Sequence, residues 1–178
     1  LYPVDDYYEP LGETIGFFPF TRDYLAALST ALMRSLHTLS MKPMKALVLD
    51  CDGTLWQGVV GEDGPMGITL GPPQRAFQQF VLDQYHAGVI LCLCSKNQEN
   101  DVWSVFELNP DMLLKREHFS FWRINWEAKS SNLLALVKDM NIGMDAVAFL
   151  DDNPLERAEV GARCPSVFCV EFPDDWEE

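Results

Sequence analysis

The chain has 178 residues, 48% of them hydrophobic and 12% aromatic, which is enough for one domain with a real core and excludes a disordered chain. Its formal net charge of -14 argues against general binding to nucleic acid or to an anionic membrane, since both need a cationic face. No stretch approaches the roughly 18 uninterrupted apolar residues of a membrane span, and five cysteines without a Cys-x-x-Cys pair point to a reducing, cytoplasmic compartment.

Residues 1–20 are rich in Pro, Tyr, Phe and acid and show no period, so an extended segment or linker is expected there. A chain that begins at Leu1 rather than Met is expected to be a piece of a larger polypeptide. Residues 21–178 read as a single catalytic domain. From Thr21, a good N-cap, the spacing of Leu25, Leu28, Leu32, Leu36 and Leu39 predicts an amphipathic helix stopped by Lys42 and Pro43. Ala46, Leu47, Val48 and Leu49 then form an apolar run, as in a central parallel strand buried on both faces. The run ends in Asp50 and Asp52, which project to one side with roughly 6 to 7 Å between their Cα atoms if strand geometry continues.

Five glycines among Val59, Val60, Ile68 and Leu70 predict a small hairpin or flap over residues 55–71. A helix follows from about Pro73 to His86, then a strand from Val89 to Cys94 ending in Ser95, Lys96 and Asn97. The next helix carries Val102, Phe106 and Leu108. A short strand near Met112 to Leu114 and an aromatic loop from Phe119 to Trp126 are expected to deliver Lys129 just before a helix that Gly143 ends. Ala146 to Leu150 is a third strong strand, discharging into Asp151, Asp152 and Asn153, with Pro154 as first residue of another helix. Val167 to Val170 is a further strand candidate, and the acidic tail from Glu171 is expected to be solvated. Strands separated by helices imply right-handed βαβ units, hence an α/β fold of three layers with a mostly parallel sheet and helices on both faces, Rossmann-like.

Three buried strands thus end in polar clusters, and in an open α/β sheet the crevice beyond the carboxyl ends of the strands is the binding place. Four carboxylates converging there repel one another unless a divalent cation neutralises them. Oxygen ligands without a nearby His or Cys set favour Mg²⁺, which commonly takes a substrate phosphate as a further ligand. Ser95 and Lys129 are the expected donors to that phosphate, and one aspartate is free to act as nucleophile.

The order of these motifs, Asp50-Cys51-Asp52-Gly53-Thr54, Ser95, Lys129 and Asp151-Asp152, resembles the haloacid dehalogenase (HAD) superfamily of phosphatases and phosphotransferases. The resemblance implies that Asp50 is the nucleophile forming an aspartyl-phosphate. It makes Asp52 the general acid and later the base, with its carbonyl also facing Mg²⁺, and has Ser95 and Lys129 hold the phosphate. The implied metal set is Asp50, Asp52, Asp151 and Asp152, with the choice of direct ligand between the last two left open. Gly53, Thr54, Ser95, Lys96 and Asn97 are the implied substrate-binding residues. The stretches Leu49 to Gly64, Cys94 to Asn97, Arg123 to Leu133 and Phe149 to Arg157 further resemble the FkbH-like glyceryl transferase/phosphatases of polyketide biosynthesis. Gly53 departs from the Asn of many relatives. This likeness implies transfer of a three-carbon acyl group, glyceryl or a relative such as D-lactyl, from 1,3-bisphosphoglycerate through a Cys51 thioester to an acyl carrier protein, within a larger polyketide synthase polypeptide.

Strand alternation pulls the other way on Cys51, because it places the thiol opposite to Asp50 and Asp52, where a Cys among apolar neighbours is ordinarily inert core. Cys92 and Cys94 read as core. His118 is a candidate base but more commonly a packing residue, and Asn97 and Asn153 are expected as helix caps. Trp56, Trp122 and Trp126 are candidate pocket walls, and Lys115, Arg116 and Arg123 a candidate rim for an acidic carrier protein. The alternatives are a plain Mg²⁺ phosphatase of a free metabolite and a catalytically silent binding domain.

Overall fold

The computed structural model describes residues 6–16, 19–40 and 43–170. They divide into two compact units, Leu1–Lys42 and Pro43–Glu178. The first holds helices α1 (Pro10–Gly16) and α2 (Arg22–Ser40). Glu9 N–H donates to Pro19 O and Thr21 N–H to Tyr7 O, at 2.8 and 3.2 Å, so residues 7–9 run antiparallel to residues 19–21. The expected extended segment is therefore helical over residues 10–16, with Pro10 at the start, where its missing N–H is harmless. Thr21 caps α2 as expected, accepting from the Tyr24 N–H at 3.2 Å. Helix α2 groups with this first unit, so the boundary between compact units falls after Lys42 rather than near residue 20. Lys42 itself and the tail from Glu171 lie outside the described residues.

The second unit is built on a five-stranded, all-parallel sheet in the order β3-β2-β1-β4-β5: β1 (Ala46–Leu49), β2 (Ile90–Ser95), β3 (Phe119–Ile124), β4 (Val147–Leu150) and β5 (Phe168–Val170). All four residues of β1 are buried. Leu47 and Leu49 face one apolar layer, shared with Val81 of α4 (Pro72–His86) and Val102 and Phe106 of α5 (Glu99–Leu108). Ala46 and Val48 face the other, shared with Leu133 and Leu136 of α6 (Lys129–Met140) and Val160 of α7 (Pro154–Arg163). Burial of each such side chain contributes roughly 2 kcal/mol, so both faces of the central strand anchor it.

The segment between β1 and α4 is less regular than a hairpin. It holds one antiparallel bridge, Gln57 to Thr69, and a single helical turn, α3 (Val60–Asp63). Met112 to Leu114 is not a strand. The buried side chain of Gln78 takes its place as acceptor, its Oε1 receiving the Leu113 and Leu114 N–H groups at 3.0 and 3.2 Å. The third sheet connection instead ends in β3, inside the stretch expected as an aromatic loop. Phe119, Phe121 and Ile124 suit a strand, and the pairing with β2 shifts register between Leu91 and Cys92. Helix α6 ends earlier than Gly143, at Asn141, whose φ of 53° is the left-handed conformation that Asn tolerates as a helix terminator. Among the described residues no helix is long and apolar enough to cross a membrane.

Phe149, fully buried between β1 and β5, fills the layer under α6 and α7. Phe149→Ala should lower the unfolding free energy of this unit by about 3 to 5 kcal/mol. Urea titration should show the midpoint falling with an unchanged slope.

Candidate active site

The carboxyl ends of β1, β2 and β4 lie side by side, and each releases a polar residue into the same place. Asp50 follows β1, Ser95 ends β2, Asp151 and Asp152 follow β4, and Lys129 opens α6. A crevice of about 200 Å³ forms there, and every residue lining it is polar. The lysine sits at its floor. Lys129 is only 3% exposed, and its Nζ lies 2.9 Å from Asp50 Oδ1 and 2.5 Å from Asp151 Oδ2. Burial alone would lower its pKa, but the two carboxylates outweigh that and push it up, so it is a fixed cation.

The acids respond to the same burial. Desolvation raises Asp50 to about 6 against the opposing pull of Lys129, with Asp151 adding to the rise. Asp151 is likewise raised by burial, although Lys129 and the Asn153 N–H hold it back. The buried Asp50 Oδ1 has the Lys129 ammonium as its partner, at 2.9 Å. Oxygens of Asp50, Asp151 and Asp152 lie within 4.8 Å of one another. Three converging carboxylates with a single lysine among them keep a surplus of negative charge and oxygen ligands, which fits a hard divalent cation.

The two acids after β4 are held differently. Asp151 has both oxygens engaged, Oδ2 by Lys129 and Oδ1 by the Asn153 N–H at 2.9 Å. Asp152 lines the crevice, and its Oδ1 takes the Thr54 hydroxyl proton at 3.1 Å while the Thr54 oxygen accepts from the Asp152 N–H at 3.1 Å. Thr54 is fully buried and supports Asp152 instead of facing the crevice. Gly53 does the same by its lack of a side chain. Its φ is +73°, and a Cβ there would meet Asp152 Oδ2 at 2.4 Å.

Asp52 also lines the crevice, but its carboxylate stands outside the three-acid cluster among the described residues. It is engaged by Trp56, Val60 and Asn97. Asn97 is thus not the expected helix cap. Gln98 occupies that position, and the Asn97 amide bridges Asp52 and Ser95 Oγ at 2.9 and 3.1 Å. Asn153 does cap α7, accepting from the Leu155 N–H at 3.0 Å. Lys96 reaches across the crevice to Glu156 at 2.6 Å.

Cys51 is fully buried on the face of β1 that carries Leu47 and Leu49, and it does not line the crevice. Burial and the Asp50 charge push its thiol well above the usual range, while a hydrogen bond with Ser95 lowers it. Cys92 and Cys94 are core, each pushed up to about 12 by burial. His118 lies away from the crevice, its Nδ1 accepting from the Lys115 N–H at 3.1 Å. Trp56 is buried in the core, Trp122 donates to Glu99, and Trp126 is exposed; none lines the crevice. Arg116 stacks 4.6 Å over the Trp103 ring and Arg123 pairs with Asp139.

Sequence reading missed Arg157, whose Nη1 donates to the carbonyls of both Asp151 and Asp152 at 2.6 Å and so pins the loop after β4. Its only signal was an arginine one turn into the helix that follows the acids. Glu159 was also missed; it accepts from Ser130 N–H and Oγ, steadying the first turn of α6 and with it Lys129.

No protein-family model and no curated protein matches the chain. Among solved structures, it is similar to the N-terminal part of the protein BF1531 from Bacteroides fragilis, described as containing a phosphatase domain complexed with Mg. The identity is 34% and the TM-score 0.77, over 95% of this chain and 46% of that one. This chain therefore spans less than half of that structure. The HAD family enzyme bt-2542 from Bacteroides thetaiotaomicron shares 15% identity at a TM-score of 0.51, over 76% of this chain and 98% of that one. The same enzyme is also known in complex with magnesium and inorganic phosphate, with 73% and 94% of the two chains covered. The parallel sheet with helices on both faces is the Rossmann-like fold of these HAD neighbours.

Lys129→Met should leave two buried carboxylates without their cation and destabilise the protein in EDTA by about 3 to 5 kcal/mol near pH 8. A carboxyl raised by burial favours the folded state when protonated and disfavours it when ionised. The gap between parent and variant should therefore narrow as pH falls toward about 6, below which Asp50 is protonated in the parent as well. Urea unfolding across that range measures it.

Proposed function

We propose that this chain, with the fold of HAD phosphatases, is a Mg²⁺-dependent phosphoryl-transfer enzyme acting on a small, hydrophilic phosphate ester. The observation that carries this reading is the convergence of Asp50, Asp151 and Asp152 on one buried lysine at the mouths of three adjacent parallel strands. Asp50 and Asp152 would hold the metal, which when bound supplies positive charge that neutralises the phosphate. Asp151 is committed to Lys129 and serves the cluster from behind. The wholly polar lining suits a substrate without a large apolar group.

In this reading an Asp50 oxygen attacks phosphorus and the ester oxygen departs with the bonding electrons, taking a proton from Asp52. Lys129 and the Ser95 hydroxyl hold the phosphoryl oxygens. A water then attacks the aspartyl-phosphate, gives its proton to Asp52, and phosphate leaves with the Asp50 carboxylate restored. Phosphate release should stop in EDTA and return with Mg²⁺. By calorimetry with Mg²⁺ alone, Asp152→Ala should weaken binding on the order of tenfold or more, and Asp151→Ala, once corrected for any loss of fold, less. Full activity in a chelated sample would refute the assignment.

The finer reading adds acyl transfer: a three-carbon unit from 1,3-bisphosphoglycerate, carried on Cys51 and passed to an acyl carrier protein in the cytoplasm, within a longer polyketide synthase chain. Its support is the motif likeness from Leu49 to Arg157 and the place of Cys51 directly between Asp50 and Asp52, both of which line the crevice. It requires the thiol, buried and neutral as the chain stands, to become reachable from the crevice. After incubation with 1,3-bisphosphoglycerate, Asp50→Asn should carry a phosphoglyceryl adduct by intact mass, and Cys51→Ala none. Absence of any adduct leaves the phosphatase reading alone.

A further inference from the structure

The Asp52 carboxylate accepts three hydrogen bonds, and their distribution over its two oxygens is uneven. The Trp56 indole N–H at 2.8 Å and the Val60 backbone N–H at 3.2 Å both donate to Oδ1. Among the described residues, Oδ2 receives only the Asn97 amide, at 2.9 Å. Each carboxyl oxygen has two lone-pair sites, so Oδ1 is filled and Oδ2 keeps one. A proton on Asp52 therefore belongs on Oδ2, the oxygen turned toward the crevice residues Asn97 and Ser95.

Trp56 is well placed to enforce that choice. It is fully buried, its ring meets Phe106 edge-on at 5.8 Å and 74°, and it belongs to the apolar layer over Leu47 and Leu49. The indole N–H is thus referenced to the core rather than to a mobile surface side chain. Val60 supplies the second donor from the first position of α3, in the segment between β1 and α4.

We propose that Trp56, seconded by the Val60 amide, is a positioning residue for proton delivery. By saturating Oδ1 the two donors fix the rotation of the Asp52 carboxyl, so that its proton rides on Oδ2 and is given to the departing ester oxygen as the phosphorus–oxygen bond breaks. The electron pair of that bond ends on the leaving oxygen, which the Oδ2 proton neutralises. This rests on the phosphoryl-transfer function proposed above.

A leaving group that needs no proton is the discriminating probe. Glycerol 3-phosphate must expel an alkoxide unless a proton arrives, whereas acetyl phosphate expels a stable carboxylate, and kcat/KM for each reports steps only through transfer to Asp50. Trp56→Phe removes the N–H and keeps an aromatic ring. Val60→Pro removes the other donor at a helix position that accommodates proline, after Val59 in an extended conformation (φ -115°, ψ 110°) that a following proline allows. In either variant kcat/KM for glycerol 3-phosphate should fall on the order of tenfold or more relative to acetyl phosphate. Circular dichroism and Mg²⁺ affinity should match the parent. If an active parent gives folded variants in which the ratio of the two substrates stays within about twofold, Trp56 is core packing and the inference fails; should Trp56→Phe not fold, Val60→Pro decides alone. A parent that hydrolyses neither substrate with Mg²⁺ present takes down the proposed function together with this assignment.

Discussion

The structure of the crevice depends on one ion triplet, the Lys129 ammonium between the Asp50 and Asp151 carboxylates. All three groups are buried, and an isolated charge in such a place would be neutralised or hydrated. Together they tie the mouth of β1 to the mouth of β4 through the first residue of α6. The balance remains two negative charges to one positive. Asp152 adds a third acid at the edge, and the surplus of negative charge is what suits the place to a hard cation.

Much of this was legible in the chain itself, because the signals are local. Apolar runs such as Ala46 to Leu49 and Val147 to Leu150 can hardly be anything but buried strands, and acids directly after them must emerge at a sheet end. The strand at Phe119–Ile124 was hidden because its aromatic residues also suit a loop covering core, and its pairing with β2 is irregular. The neighbouring Met112 to Leu114 looked like a strand since apolarity reports burial, whereas pairing depends on what satisfies the amides. Gln78, remote in sequence, does so.

Supporting residues were illegible for the same reason. Trp56 acquires meaning only through Asp52, and Arg157 only through two carbonyls that any residue would have provided. Alternation along β1, by contrast, correctly separated Asp50 from Cys51. The same strand presents a carboxyl to the crevice and a thiol to the layer of Leu47 and Leu49, so charge and apolar packing sit one residue apart.

The contact between the glycine turn after β1 and the acid after β4 has a consequence for biosynthesis. Thr54 and Asp152 are 98 positions apart, yet each holds the other, and Gly53 is shaped to the Asp152 carboxylate. On a ribosome, Asp50 and Asp52 are made long before the lysine and the acids that complete their surroundings. No partial nascent chain can therefore display the finished crevice, which should form late in synthesis, as one event, once β4 has inserted beside β1.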